Sequence, residues 1–245
     1  MVKKFLFASL TGNIIFTIFF MAFIIKKGGL EYIQEKIFPT NYSKVNMQKI
    51  KYINLFERNI QRVSLFDLLP ITEEDIIFVG NSITGSCEWV EILDNNKIKN
   101  RAILGDNSLG ILNRIDRIAK FKPQKIFLMI GVNDLSERIK IDSIAQNYEN
   151  IIKRIKSFSS KTKIYIQSIL PVNDDFKDVK NEDIIELNSK IKNAAKEYKA
   201  TYVDVFSHLQ DSSGKLNREY SNDGLHLLGI GYLKWKNILE PYINQ

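Results

Sequence analysis

From Asp75 onward, short apolar runs rich in β-branched residues alternate with stretches that have helical spacing. The strand-like runs are Ile76–Val79, Arg101–Leu104, Lys125–Ile130, Lys163–Leu170 and Thr201–Phe206. The helix-like stretches are Cys87–Leu93, Leu109–Phe121, Ile141–Phe158, Asp183–Tyr198 and Leu228–Ile243. Strands that alternate with helices of this kind form βαβ units, because right-handed crossovers return the chain to a parallel neighbour. The pattern therefore predicts one α/β domain over residues 75–245, with a five-stranded parallel sheet covered on both faces.

The N-terminal segment has a different character. Phe5 to Ile25 is a run of 21 residues without a charge, flanked by lysine pairs. As a helix at about 1.5 Å per residue, it is long enough to cross a hydrocarbon core of roughly 30 Å. We expect residues 1–27 to form an uncleaved transmembrane anchor, with a cleaved signal peptide as the alternative, because the apolar run is long and lacks an A-x-A-like site. The globular part is expected outside the cytoplasm, either membrane-anchored or secreted after cleavage.

Residues 28–74 are predicted to be a juxtamembrane helical linker. Gly28 and Gly29 loosen its start, and Pro39 interrupts it. Apolar residues at three- and four-residue spacing between Val45 and Leu69 predict one or two amphipathic helices. The pattern does not decide whether these helices pack on the sheet or lie on a lipid surface.

Composition excludes several classes of function. The net charge of +7 is scattered along the chain instead of forming one basic block, and no nucleic-acid-binding motif is present. The single cysteine, Cys87, excludes an intramolecular disulfide and any multi-cysteine metal site. Cys87 lies close in sequence to Ser82, so it is a candidate thiol nucleophile, but Cys87 is expected to be a small packed residue. Any histidine chemistry must use His208 or His226, the only two histidines.

Four polar clusters follow predicted strands or open predicted helices. They are Gly80–Thr84, Leu104–Ser108, Gly131–Asp134 and Asn222–His226. Open α/β sheets place their active sites outside the carboxyl ends of the strands, so these clusters are candidates for one shared site.

Together the clusters contain the parts that acyl transfer needs. Ser82 is the candidate nucleophile, and a serine needs a base with a pKa near neutrality, for which His226 is suited. Asp223 lies three residues before His226, so one turn could supply the carboxylate that orients the imidazole. The backbone N–H groups of Ser82 and Gly105 and the side-chain amide of Asn133 could stabilise an oxyanion.

The four clusters, read as Gly-Asn-Ser-Ile-Thr, Gly-Asp-Asn-Ser, Gly-Val-Asn-Asp-Leu and Asp-Gly-Leu-His, resemble the blocks of the SGNH (GDSL-like) hydrolase superfamily. Position by position, the resemblance implies Ser82 as nucleophile, Asp223 and His226 as its partners, and Gly105 and Asn133 as oxyanion donors. It also implies a flavodoxin-like three-layer αβα sandwich and esterase, lipase or carbohydrate deacetylase activity without a metal or other cofactor. Asn81 departs from the namesake block, which has aspartate there.

Other polar and aromatic residues receive ordinary structural interpretations. His208 is expected on the surface or in a loop, Asp134 as a helix cap, and Asp106 as a turn residue. Trp89 and Trp235 could line a sugar site, but packing is the default for aromatic residues at helical spacing.

Several functions stay open on sequence alone. The leading hypothesis is a serine esterase that removes an acyl group, expected to be acetyl, from a carbohydrate. The alternatives that keep this chemistry are an O-acyltransferase and a lysophospholipase or other lipid esterase. A non-catalytic glycan-binding module would need a broken site. A nucleotide-binding loop at Gly80–Ser86 lacks the lysine expected after Gly85 and is disfavoured.

Overall fold

The computed structural model of the chain describes residues 59–244 and the isolated positions 22, 25 and 26. The chain divides into two compact units, Met1–Phe56 and Glu57–Gln245, and the fold below belongs to the second. The predicted anchor, apart from the three isolated positions, and the predicted linker up to residue 58 lie outside the described residues. Among the helices that the structure does describe, none combines the length and apolarity needed to cross a membrane.

A five-stranded parallel sheet forms the centre of the domain, as the alternating pattern predicted. Its strands are β1 (Ile76–Gly80), β2 (Ile98–Asn100), β3 (Lys125–Met129), β4 (Lys163–Gln167) and β5 (Thr201–Val203). Their order across the sheet is β2-β1-β3-β4-β5, and every neighbouring pair is parallel. This is the flavodoxin-like order, in which ligands bind where the direction of winding reverses, between β1 and β3.

Nine helices of the described region connect or follow these strands. They are α1 (Ser82–Gly85), α2 (Trp89–Ile92), α3 (Ser108–Arg114), α4 (Asp116–Ala119), α5 (Val132–Ser136), α6 (Ile141–Phe158), α7 (Asn181–Glu197), α8 (Phe206–Leu209) and α9 (Gly229–Ile243). A further helical segment spans residues 59–68, within the predicted linker. The helix predicted at Cys87–Leu93 corresponds to α2, and α1 is an additional short helix before it. Where the sequence pattern predicted a single helix at Leu109–Phe121, the structure has the pair α3 and α4.

The second strand was predicted at Arg101–Leu104, which is wrong, since β2 ends at Asn100. β2 is an edge strand and is only partly covered, so its polar Lys99 and Asn100 hid it from a search for apolar runs. The predicted residues, Arg101–Leu104, directly follow β2 and still run alongside β1. The backbone N–H groups of Arg101 and Ile103 donate to the carbonyls of Phe78 and Gly80, at 2.8 and 3.0 Å.

The core is layered across the sheet. Phe78, Phe127 and Tyr165 occupy matching positions on β1, β3 and β4, and their rings stack at centroid distances of 5.0 and 4.5 Å. On this face Phe78 stacks on Trp89 of α2, and Tyr165 meets Tyr242 of α9 edge-on. Helix α6 packs against both α3 and α7, and these three helices form the other outer layer. The result is a three-layer αβα arrangement that brings the carboxyl ends of the strands to one edge.

Candidate active site

Ser82 is the first residue of α1, directly after the central strand β1. Asn81 begins this helix, because its side-chain oxygen accepts a hydrogen bond from the backbone N–H of Ile83 at 3.1 Å. A helix of four residues leaves its carbonyl groups without internal partners. Tyr232 donates its hydroxyl to the carbonyl of Ile83, and Trp89 donates its indole N–H to that of Thr84, each at 2.8 Å. The serine is thus held on a short helix fixed from outside.

His226 and Asp223 come from one tight turn before α9. The Oδ1 atom of Asp223 accepts hydrogen bonds from the backbone N–H groups of Leu225 and His226, at 2.9 and 2.8 Å. Ser221 adds a hydroxyl bond to Oδ1 at 3.3 Å and accepts one from the N–H of Gly224 at 2.9 Å. The aspartate side chain therefore organises the turn that presents the histidine.

The three side chains form one hydrogen-bonded row. The Oγ atom of Ser82 lies 2.9 Å from Nε2 of His226, and Nδ1 of His226 lies 2.7 Å from Oδ2 of Asp223. An ionised carboxylate only accepts hydrogen bonds, so Nδ1 must carry the proton. In the neutral ring Nε2 is then an acceptor for the hydroxyl hydrogen of Ser82, as a general base requires.

Asp223 stays ionised across a wide pH range. Partial burial acts to raise the pKa of Asp223, but hydrogen bonds from the His226 ring and from the backbone of Leu225 and His226 outweigh it and lower the pKa to about 2. The side chains of His226 and Asp223 are 41% and 47% exposed, so solvent reaches this side of the row. The carboxylate is therefore available to orient the imidazole and to stabilise its protonated form.

Gly105 and Asn133 follow the strands on either side of β1. The carbonyl of Gly80, at the end of β1, accepts the N–H of Ile103 at 3.0 Å, two residues before Gly105. Gly80 is also in register with Met129, four residues before Asn133. The adjacent strand ends thus carry these residues and Ser82 at the same edge of the sheet.

The oxyanion donors predicted from sequence have suitable local geometry. Gly105 has a φ of 76°, in the left-handed region where glycine is favoured, so the chain turns sharply there. Asn133 donates one Nδ2 hydrogen to the carbonyl of Asp106 at 2.7 Å. An amide nitrogen carries two hydrogens, so this bond orients the group and leaves the other hydrogen for a ligand.

Comparison with known proteins decides the family. A model of the GDSL-like Lipase/Acylhydrolase family matches residues 78–234, which include Ser82, Gly105, Asn133, Asp223 and His226. The chain belongs to this family.

Solved structures share the GDSL-like fold. A protein from Streptococcus pneumonia, described as a platelet activating factor candidate, superposes with a TM-score of 0.76 and 28% identity, over 81% of this chain and 99% of that one. A GDSL-like lipase from Bacteroides thetaiotaomicron superposes with a TM-score of 0.67 and 25% identity, over 75% of this chain and 96% of that one. Both chains are matched almost completely by the domain described above.

A curated relative extends the comparison to a larger protein. The N-acylneuraminate cytidylyltransferase of Escherichia coli O18:K1:H7 is 29% identical over 210 residues, which is 83% of this chain and 48% of that protein. The chain therefore spans about half the length of this curated relative.

The sequence predicts Asp134 as a helix cap, but in this GDSL-like domain its side chain does not cap its own helix, α5. It is 2% exposed and accepts the backbone N–H of Ser108 through both oxygens, at 3.1 and 3.0 Å, and the Ser108 hydroxyl through Oδ1. Asn147 of α6 donates to the same hydroxyl at 2.8 Å. Burial raises the pKa of Asp134 to about 6, although the bonds from Ser108 oppose the shift. The carboxylate ties the second polar cluster to the third, and sequence reasoning missed this contact.

Asp106 organises its turn, as expected, and also forms a buried ion pair. Its Oδ1 accepts the backbone N–H of Asn107 at 3.1 Å, and its Oδ2 accepts Nε of Arg114 at 2.9 Å. Burial raises the pKa of Asp106, and the Arg114 charge acts against that rise. Arg114 also donates to the carbonyl of Arg101 at 2.9 Å. The loop that carries Gly105 is thus fixed on both sides by one arginine, a contact for which the sequence had no local signal.

The remaining sequence candidates lie outside the row. Cys87 is buried, and burial, followed by the charge of Glu88, raises its thiol pKa to about 12, which disfavours a thiolate nucleophile. Trp89 and Trp235 are fully buried and meet edge-on at 4.9 Å, so they belong to the core. His208 is exposed in α8.

Proposed function

We propose that this chain is a serine esterase that hydrolyses a small acyl ester, namely an acetyl ester of a carbohydrate. The observation that carries the proposal is the row of Ser82, His226 and Asp223, with contacts of 2.9 and 2.7 Å. Family membership supports ester hydrolysis in general terms. The substrate is the part that the proposal adds.

In the proposed mechanism, His226 takes the hydroxyl proton of Ser82 as Oγ attacks the ester carbonyl. Asp223 stabilises the imidazolium that forms. The oxyanion then lies against the N–H groups of Ser82 and Gly105 and the free amide hydrogen of Asn133. His226 returns the proton to the alcohol as it leaves, and the acyl group stays on Ser82.

Deacylation repeats the sequence with water as the nucleophile. His226 takes a proton from water, which attacks the acyl-Ser82 ester, and then returns the proton to Oγ as the carboxylic acid leaves. Exposure of the His226 and Asp223 side chains, 41% and 47%, supports ready entry of water. A sugar hydroxyl could enter by the same route, so hydrolysis and transfer are separated by measuring both products.

Two exposed apolar residues lie close in sequence to the residues of the proposed site. Leu104 directly precedes Gly105, and Leu228 lies two residues after His226; they are 43% and 40% exposed. We propose that these two exposed apolar side chains contact a few methylene groups of the substrate. The curated relative is named for a reaction on N-acylneuraminate, so acetylated N-acylneuraminate belongs in the substrate panel with acetylated xylan and lysophospholipid.

The test uses the full-length chain with an aryl acetate and a fluorophosphonate probe. Unchanged protein is expected to turn over the ester and to gain one adduct on Ser82, found by peptide mass spectrometry. Ser82→Ala and His226→Ala are expected to lose turnover and the adduct. Ser86→Ala removes an exposed hydroxyl one helical turn away and should leave both intact. Turnover that survives in folded Ser82→Ala would contradict the proposal.

We further propose that residues 1–27 anchor the esterase to a membrane with its catalytic domain outside the cytoplasm. The uncharged run from Phe5 to Ile25 supports this placement. Membrane fractionation, followed by protease treatment of intact cells, tests it. Recovery of the full-length chain in the soluble cytoplasmic fraction would contradict it.

A further inference from the structure

A cavity lies between the helical segment 59–68 and the region of α3 and α4. Its volume is about 190 Å³, and Ser82, His226 and Asp223 do not line it. Its charged lining consists of four cations and one carboxylate: Arg101, Arg114, Arg117, Lys120 and Asp67. Its apolar lining includes Phe66, Ile71, Ile118 and Phe121. The cavity therefore combines positive charge with apolar surface.

Two of the cations are buried and incompletely hydrogen-bonded. Arg101 and Arg114 are 4% and 7% exposed. Within the described part of the chain, neither Nε of Arg101 nor Nη2 of Arg114 has a hydrogen-bond partner. Buried donors of a charged group are costly to leave unpaired. Both side chains line the cavity, so the charge of each guanidinium group acts on an anion bound there.

Neighbouring carboxylates compensate Arg101 only in part. The charge of Asp75 acts on Arg101, but Asp75 also accepts the N–H of Thr72 at 2.7 Å and lies 4.0 Å from Nζ of Lys99. Burial lowers the pKa of Arg101; Asp75 opposes that shift, and the charge of Arg62 adds to it. Positive charge is thus concentrated at a site with a low local dielectric, where an anion is attracted strongly.

The other charges of the cavity have defined partners. Arg114 pairs with Asp106, as described above. Arg117 pairs with Asp67 across the exposed side of the cavity, where these two side chains are 53% and 39% exposed. Lys120 is exposed, and its ammonium group lies 5.0 Å from the ring centroid of Phe121. Asp67 is therefore the one lining carboxylate that would repel an entering anion.

We propose that this cavity binds a small organic oxyanion, a phosphate or carboxylate that carries a short apolar group. The charged end contacts Arg101 and Lys120, and the apolar end lies against Phe66 and Phe121. The volume of about 190 Å³ is below the roughly 300 Å³ at which pockets for drug-sized ligands begin, so a sugar chain does not fit. The Arg101 guanidinium lies 5.0 Å from the Phe66 ring centroid, a cation–π contact. The charged end and the apolar end of the site are therefore adjacent.

The cavity is connected to the loop of the candidate active site through Arg114. Arg114 holds Asp106, and the carbonyl of Asp106 orients the amide of Asn133. A variant of Arg114 would therefore change two sites at once. The binding test leaves Arg114 intact and uses the charges that touch only the cavity.

The test is isothermal titration of the full-length chain in detergent with inorganic phosphate and with butyl phosphate. Butyl phosphate is expected to bind more tightly, because it adds apolar contact. Arg101→Gln and Lys120→Gln are each expected to weaken its binding about 10- to 100-fold, as expected for loss of a charge-assisted contact. Asp67→Asn is expected to strengthen binding, because it removes the repelling carboxylate. Lys234→Gln, which removes an exposed charge on α9, is the matched control and should bind like the unchanged chain.

Lys120→Gln and Asp67→Asn keep the test decisive if Arg101→Gln fails to fold, because both positions are exposed. Equal affinity for inorganic phosphate and butyl phosphate would overturn the apolar half of the site. Equal affinity in all variants, or no binding of either anion below about 10 mM, a free energy weaker than roughly −3 kcal/mol, would overturn the proposal.

Discussion

Ser108 donates both its backbone N–H and its hydroxyl to the buried carboxylate of Asp134. Ser108 opens α3 directly after the loop of Gly105, and Asp134 follows Asn133 on α5. One carboxylate therefore sets the distance between two loops that are expected to stabilise the same oxyanion. The contact is structural, yet it has consequences for pH dependence.

Replacing Asp134 by Asn is expected to flatten the pH dependence of stability in acid. Burial raises the pKa of Asp134 from 3.8 to about 6. A raised folded pKa means that this group's contribution to the free energy of unfolding is fully present below about pH 4 and is lost as the pH rises through 6. Asp134→Asn removes that decline. It also lowers stability at pH 7 by about 1–3 kcal/mol, because the amide cannot accept every bond from Ser108.

Urea unfolding of Asp134→Asn between pH 4 and 7 measures both effects. Asp178→Asn, at an exposed position, is the matched control and should retain the slope of the unchanged chain. An equal slope in Asp134→Asn and Asp178→Asn would show that Asp134 does not titrate in this range.

Replacing Asp223 by Asn is expected to lower kcat by about 1,000- to 10,000-fold, because the amide favours the wrong histidine tautomer. The pKa of Asp223 is lowered to about 2, so its contribution to stability is present above about pH 4 and is lost only towards pH 2. With the side chain 47% exposed, that contribution is below about 1 kcal/mol.

Steady-state kinetics on the aryl acetate and urea unfolding at pH 7 separate the two effects of Asp223→Asn. Asp204→Asn removes an exposed carboxylate after β5 and serves as the control. A large loss of stability with little change in kcat would assign Asp223 a structural role only.

Replacing Asn133 by Ala is expected to lower kcat by about 100- to 1,000-fold with little change in KM. The amide hydrogen that is left free by the bond to Asp106 acts on charge that develops only in the transition state. Asn113→Ala, at an exposed position on α3, should leave both constants unchanged. A rise in KM with constant kcat would instead place Asn133 in ground-state binding.

Replacing Gly224 by Ala is expected to disturb the turn between Asp223 and Leu225 more than backbone strain alone would. An added Cβ would lie 2.4 Å from Oδ1 of Asn173 and 2.8 Å from the backbone nitrogen of Phe176. Its φ of 81° adds a left-handed strain of about 1–2 kcal/mol, and the clash adds about 1–3 kcal/mol more. Because the turn carries Asp223 and His226, kcat should fall together with stability.

Gly214→Ala is the matched control for that variant. Gly214 has a φ of 79°, but its added Cβ would approach its nearest neighbour, Oε1 of Gln210, only to 3.9 Å. Unfolding and kinetics of both variants therefore separate strain from the clash. Equal losses of stability in Gly224→Ala and Gly214→Ala would show that the contact with Asn173 does not add to the destabilisation.

For β1, β2 and β3, the accuracy of the sequence prediction follows the burial of the strand. β4 and β5 begin where predicted, at Lys163 and Thr201, but each ends three residues earlier than predicted, at Gln167 and Val203. β1 and β3 are buried on both faces, and their apolar runs located them within one residue of each end. β2 was misplaced because an edge strand has no continuous apolar signal. The sequence pattern predicted Arg114 within one longer helix, Leu109–Phe121. The contact of Arg114 with Asp106, eight residues earlier, has no signal in that pattern.

The sequence by itself determined the alternation of strands and helices, the family of the domain and the types of side chain at the strand ends. These properties depend on local patterns of apolar residues, turn formers and short motifs. Only the tertiary structure decided that Ser82 and His226, 144 residues apart, lie within hydrogen-bond distance, and that Arg101 and Arg114 are buried with unpaired donors. Such contacts depend on how separate elements pack. Local motifs indicated which residue types the site needs, but the distances between them follow only from the packed fold.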